Sequence, residues 1–455
     1  MQGRAGRCPR AYAGAGVTGM RVAEWQGWVA LASLVCAFLA LGWWLFRSPV
    51  TLVPTPPGTV RSAARTRHVV AVLVLASGAL LTFGARWDEL WHRMYGGFGD
   101  DFLWPPHMLM YVGLGLNVAF AIVGLAIASG VRAPMSGAPA FPGIRARFRA
   151  EPAIGLLGLT AAYQIASIPV DLVWHEIIGP DLTAWSLPHV LLAATTAGVL
   201  IAGVALSRAR VAELRWRSDL LTVGILATSL LALLQVGTTE WDWAAPSEAR
   251  SGVLAGRPLW AYPAVTVAVG VFHGVLARTV TGRVGAASVV AALALVVQAG
   301  TLVVGRLAAP PGPGLETAMA VAFGTVVMDL WWRYRRRLDG ASFSTWARPG
   351  IGIGDAWVGT LAWLAGFATF GLAPMARRSG LSGAEVGDWV AVVVATAVAG
   401  MIAATVAAWL GPWLAVAGLG IARPLTPVAR VVPATDPRTP RRGGRRSRTS
   451  APRRT

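Results

Sequence analysis

The sequence predicts an all-α, polytopic integral membrane protein, and three observations carry that prediction. Hydrophobic residues make up 55% of the chain and charged residues 13%, against the roughly 25% charged typical of soluble domains. Apolar windows of about 20 residues, the length that crosses a bilayer, recur near 26–46, 68–86, 106–129, 153–172, 187–206, 219–237, 258–277, 284–305, 315–332, 356–374 and 389–410. Charge is also segregated. Every basic residue is Arg, and the segments 47–67, 130–151, 207–217, 278–283, 333–350 and 422–455 hold 29 of them, against seven in the alternate loops.

About eleven spans are therefore expected, with a transmembrane domain over 26–421 between an N-terminal tail (1–25) and a disordered basic tail (422–455). Cytoplasmic loops retain the excess of basic residues, so the alternation puts the C-terminus in the cytoplasm of a cell-membrane protein and the loops after the second and fourth spans outside. An odd number of spans then requires an external N-terminus, which Arg4, Arg7, Arg10 and Arg21 oppose. A translation start at Met20 would remove three of those four. The arginine-rich tail reads as a topology signal that also touches anionic lipid, in preference to a nucleic-acid arm. Cys8 and Cys36 supply neither a disulfide framework nor a cysteine metal site.

The stretch around which the chain is organised occurs twice. Asp88-Glu-Leu-Trp-His92 leads through a short Gly- and Asp-containing link to Trp104-Pro-Pro-His107, and Asp171-Leu-Val-Trp-His175 leads to Trp185-Ser-Leu-Pro-His189. Four of the six histidines lie in these copies. The copies define repeat units 68–129 and 152–206, a parallel two-helix repeat related by an axis along the membrane normal. Asp88 and His92, like Asp171 and His175, stand four residues apart, on one face of a helix and about 6 Å from each other. Each second histidine begins the next helix and returns to the same depth. A carboxylate with two imidazoles suits copper, zinc or non-haem iron, and three protein ligands leave a position open.

These residues resemble the metal-site motif of the copper membrane monooxygenases, the particulate methane and ammonia monooxygenases, in the membrane subunit of that family whose adjacent transmembrane helices carry an Asp and two His. The resemblance covers D-x-x-W-H, the polar link, Pro105 and His107, and extends to Tyr111 and Gly113; the family spacing D-x3-H-x12-H is replaced here by fourteen and thirteen residues between the histidines. It implies metal ligation, copper being the family's usual metal, by Asp88, His92 and His107 and by Asp171, His175 and His189. On that reading Glu89, Asp100, Asp101, Glu176 and Asp181 orient imidazoles or pass protons, and Trp91, Trp104, Trp174 and Trp185 keep the site dry. Copper near the outer face would activate dioxygen against a small apolar substrate arriving through the lipid. Other membrane subunits or a second copy of the chain are the candidate partners beside the bilayer.

A second class of function uses the same groups. A transporter or metal-handling permease also employs repeats and Asp/His pairs at the membrane edge, but it needs further ionisable groups at mid-membrane, for which His273 is the candidate. Haem ligation by paired histidines is a third reading, less suited to the adjacent carboxylates. Elsewhere, His68 is expected at the cytoplasmic edge and His273 as a hydrogen-bonded histidine between helices. Pro169 is expected to bend its helix, and the last span to kink or re-enter near Gly411-Pro412. The Glu240-Trp-Asp-Trp243 to Trp260 stretch reads as an interfacial aromatic belt or a third copy without ligands, and Asp329 as a partner of the Arg333 to Arg337 cluster.

Overall fold

The computed structural model describes residues 57–95, 103–130, 151–177, 184–208, 215–243, 257–308, 314–338, 351–379 and 381–417, with isolated positions between 29 and 42. The expected first span and both tails therefore lie largely or wholly outside the described residues. Among those that are described there is no β-strand, and nine helices are long and apolar enough to cross a membrane. The architecture is all-helical and multi-pass.

In chain order the helices are α1 (Pro57–Tyr95), α2 (Pro105–Gly130), α3 (Pro152–Ile177), α4 (Leu187–Ser207), α5 (Arg215–Trp243), α6 (Ala261–Thr281), α7 (Ala286–Ala308) and α8 (Glu316–Leu338). After them, α9 (Ile353–Gly366) continues through a π-helical turn (Phe367–Gly371) into Leu372–Ser379, and α10 (Val386–Ala417) completes the described chain. Helix α8 is the one of these that is too polar to join the nine. Prolines begin α1, α2 and α3 and stand in the first turn of α4, where the missing N–H costs nothing because that donor has no intrahelical acceptor. Pro169 and Pro412 instead lie inside α3 and α10. The latter helix runs unbroken to Ala417, so the expected re-entrant piece is a continuous span.

Helices α1 to α4 pack as a group: α1 on α2, α2 on α3, α3 on α4, and α4 back on α1. Small residues set the approach, since a Cβ on Gly113 would stand 2.7 Å from Leu81 Cγ and 3.1 Å from the Ser77 carbonyl oxygen. One polar side chain from each helix joins a buried chain of hydrogen bonds. Ser77 bonds Asn117, whose Nδ2 donates to Gln164 Oε1 (2.8 Å), and Gln164 Nε2 donates to Thr196 Oγ1 (2.8 Å). In an apolar surrounding such ties replace the hydrophobic drive that water would supply. They are polar without being ionisable.

The remaining helices pack onto this group through α5, which contacts α1, α4, α6 and α7, while α6 packs closely on α10. Arginines near the starts and ends of several helices are braced by carboxylates. Arg67 makes a forked pair with Glu151 (2.7 and 2.8 Å), and Asp219 takes Arg208 on one oxygen (2.7 Å) and Arg283 on the other (2.6 Å). Gly282, in the left-handed region (φ 71°), closes α6 by donating its N–H to the Arg278 carbonyl. Asp329 does not turn to the following arginines: it accepts from the backbone N–H and hydroxyl of Ser288 at the start of α7 (2.8 and 2.7 Å), because that helix N-terminus presents unpaired donors. His273 behaves as expected, bridging α6 to α5 through Ser229 (3.0 Å).

Candidate metal centre

Helix α1 runs to Tyr95 without a break, so Asp88 and His92 do lie one turn apart on a single helix. Pro105 and Pro106 then start α2 and set His107 in its first turn. The hairpin brings two of the three expected ligands of the first copy together: His107 Nε2 stands 3.2 Å from Asp88 Oδ1, with both side chains mostly buried. The imidazole is held by aromatic neighbours. Trp104 stacks against it at 6.2 Å and 21°, Tyr111 lies 6.2 Å away on the other turn, and Trp91 packs on Trp104 at 6.3 Å. The ladder continues down α1 through Trp87 to Phe83. Trp91 and Trp104 thus pack about the first copy as expected.

In the second copy Asp171 and His189 are half-buried at the end of α3 and in the first turn of α4. Trp185 has partners outside its own hairpin. It packs on Trp241 (5.5 Å), donates its indole N–H to the Gly237 carbonyl (3.3 Å), and lies under the Arg257 guanidinium (4.7 Å). Three residues separate Trp185 from His189, against two between Trp104 and His107, and the end of α5 supplies the surface that receives it.

His92, His175 and Glu176 lie within helices, but their side chains are outside the described residues, and Asp100, Asp101 and Asp181 are outside entirely. Among the described residues no three His, Cys, Asp or Glu side chains gather to hold a metal ion. The third ligand expected in each copy is one of those outside that set.

A layer one turn deeper was not legible in the sequence. Leu81, Met110 and Leu114 form a small buried cluster on which Ala85, Tyr111, Ile168 and Leu192 pack. These seven residues come from all four helices of the two hairpins. Tyr111 also lies in the electrostatic field of both Asp171 and Asp88.

The other side of α1 meets a second polar group. Arg86 Nη1 donates to Gln298 Oε1 (2.5 Å) on α7 and reaches Thr301 (3.5 Å), in the field of Asp242. Asp242 accepts from Thr238 (2.7 Å), Tyr262 (2.9 Å) and Thr317 (2.7 Å). Arg86, Glu89, Gln235, Asp242 and Gln298 line a cavity of about 20 Å³, enough for a single water. Trp241 and Trp243 are 3% and 7% exposed, with Trp241 stacked on Tyr262 at 5.0 Å. They are core residues, so the belt expected over this stretch is confined to Trp260, which is 43% exposed. The signal available in the sequence was Arg86 itself, a charge at the end of an apolar span.

Comparison with protein families, with curated proteins and with solved structures finds no match for this chain.

Proposed function

We propose that this chain is a cell-membrane metalloprotein whose twin hairpins hold copper, with zinc and iron as the alternative ions, near the extracytoplasmic face, in the manner of the copper membrane monooxygenases that the motif resembles. The observation that carries the reading is the approach of His107 to Asp88 at 3.2 Å across a helix hairpin, with His92 one helical turn beyond Asp88. The donor set fits such a metal: a carboxylate and two imidazoles, flanked by aromatic rings.

In this reading the protein's own groups have separate tasks. Asp88 and His107 fix each other's orientation, as carboxylate–imidazole pairs do around metals. Trp104 and Tyr111 keep water from the imidazole's faces. Asp100, Asp101, Glu176 and Asp181 are placed by the sequence to orient further ligands or carry protons, while Glu89, expected to share that task, lines the Arg86 cavity on the other side of α1. Copper bound there would supply one-electron redox chemistry towards dioxygen. The same proposal includes eleven spans, an internal two-helix repeat, outward-facing motif loops and a cytoplasmic C-terminus, which reporter fusions at the 93–104 and 339–350 loops would test.

The deciding measurement is metal content of the full chain purified in detergent, with His92→Ala and His175→Ala alongside. Stoichiometric copper that falls in the variants is the expected result. A wild-type protein that binds neither copper, zinc nor iron refutes the proposal, and cation uptake by proteoliposomes would put the permease reading in its place.

A further inference from the structure

We propose that Arg278 and Arg336, where α6 and α8 end beside the start of α7, hold the phosphodiester of an anionic phospholipid headgroup. This inference is independent of the metal-binding reading and concerns the end of the bundle opposite the motif hairpins.

Arg278 is the anomaly. It is 5% exposed, and its Nε and Nη1 are buried with no hydrogen-bond partner among the described residues. A guanidinium carries five N–H donors and does not give up its charge, so leaving it buried and unpaired is strongly unfavourable. Arg67, Arg208, Arg257 and Arg283, by contrast, each meet a carboxylate within 3.1 Å. Arg278 therefore calls for an acceptor that the described side chains do not supply.

Helical register places a second guanidinium beside it. A Cβ on Gly274 would meet Met328 Cε and stand 3.5 Å from Thr325 Cγ2, so α6 touches α8 at that level. The two helices cross in the same direction, and one turn further along brings Arg278 level with Asp329 and Trp332. Arg336 follows on the same face of α8, seven residues after Asp329. Arg278 lies in the electrostatic field of both Arg336 and Asp329. Asp329 does not fork the guanidinium: its Oδ2 accepts from the backbone N–H and hydroxyl of Ser288, and its Oδ1 makes no hydrogen bond. Two guanidiniums beside one carboxylate leave one positive charge over. A phosphodiester carries the single negative charge that balances it, and its two free oxygens suit the planar donors of arginine.

The surface of α8 points to lipid as the source of that group. Leu330, Tyr334 and Leu338 are exposed, and Tyr334 packs against Trp331, the mixture of apolar and aromatic side chains found at a membrane interface. Arg336 is half-buried at this level, while Arg333, Arg335 and Arg337 are exposed. Basic pockets between helices at headgroup depth are where anionic lipids bind.

The test uses the full chain, delipidated in detergent, with thermal unfolding followed by tryptophan fluorescence and bound lipid counted by native mass spectrometry. Phosphatidylglycerol added to the micelles should raise the unfolding midpoint of the wild type by several degrees; phosphatidylcholine and inorganic phosphate should not. Arg278→Met removes the unpaired charge and keeps an apolar stem, so without lipid it should unfold at or above the wild-type temperature, and phosphatidylglycerol should no longer shift it. Arg336→Gln should weaken phosphatidylglycerol binding about fivefold, and the exposed neighbour Arg337→Gln much less. A lipid-free Arg278→Met that unfolds well below the wild type shows that a carboxylate of this chain is the partner, and overturns the proposal. An equal response to phosphatidylcholine or inorganic phosphate also overturns it, as do equal losses in Arg336→Gln and Arg337→Gln.

Discussion

The hairpin that carries Asp88 and His107 depends on two close approaches that a single methyl group should disturb. A Cβ on Gly84 would stand 2.6 Å from Met110 Cγ and 3.2 Å from the Pro106 carbonyl oxygen; on Gly113 it would stand 2.7 Å from Leu81 Cγ and 3.1 Å from the Ser77 carbonyl oxygen. Unstrained carbon contacts lie at about 3.5–4.0 Å. Met110 is flexible and can swing aside, but the Pro106 carbonyl belongs to the first turn of α2 and can yield only if the helices part. Leu81 is branched and buried in a packed cluster, so it has little room to take another rotamer, and the Ser77 carbonyl behind it belongs to the α1 backbone. Gly115, two residues along the same helix, has nothing within 4 Å of its added Cβ and serves as the control.

All three Gly→Ala changes gain up to about 1 kcal/mol in helix propensity. Overpacking costs about 1–3 kcal/mol at Gly84 and Gly113 and nothing at Gly115. Gly113→Ala should therefore be about 1–3 kcal/mol less stable than Gly115→Ala, with Gly84→Ala between them because Met110 relieves part of its strain. Equilibrium unfolding in mixed micelles, followed by tryptophan fluorescence, measures the difference. Copper affinity should fall in Gly84→Ala, whose added methyl parts the hairpin one turn from Asp88, and hold in Gly115→Ala. Equal stability of Gly113→Ala and Gly115→Ala would refute the packing argument.

Three other perturbations follow from the same helices. Glu151→Gln removes the charge from the forked pair that ties Arg67 of α1 to the start of α3, and should cost about 1.5–3 kcal/mol in the same unfolding assay, unrelieved by Arg67→Lys, which lacks the fork. Asn117→Leu takes the middle link out of the buried chain and leaves Ser77 and Gln164 without it, for a loss of about 1–2 kcal/mol. Arg86→Met frees the other side of α1 from Gln298 and should lower copper affinity about tenfold although no ligand is touched; unchanged affinity in a folded variant would show that Arg86 does not aim Asp88.

What the sequence made legible, and what it did not, divides along physical lines. Span positions and the helix start at Pro105 could be read because hydropathy and proline geometry are local properties. The pairing of Asp88 with His107 could be read because a short link forces two adjacent helices to return to the same depth. His273 was legible for a different reason, a buried imidazole needing a partner wherever one is in reach. Trp241, Asp242 and Asp329 were misassigned or missed, since each is decided by a residue distant in the chain: Tyr262 for Trp241, Tyr262 and Thr317 for Asp242, Ser288 for Asp329. Aromatic and acidic residues near a span end look alike whether they face lipid headgroups or another helix, and only packing separates the two.

The half of the chain without motif histidines also has a structural reason to be there. Successive helical residues are turned by about 100°, so Arg86 and Asp88 project on nearly opposite sides of α1. Arg86 is fixed to α7 by Gln298, and α7 is held beside α5 and α8, where Asp242, Tyr262 and Thr317 close a network of hydrogen bonds. A helix gripped on one side cannot rotate about its axis, and its opposite side is then held towards α2 and His107. A hairpin alone would set the depth of Asp88 but leave its direction free. On the metal-binding proposal, the network centred on Asp242 supplies that direction, and a buried arginine two residues from the motif, chemically unrelated to metal ligation, would act on the same site.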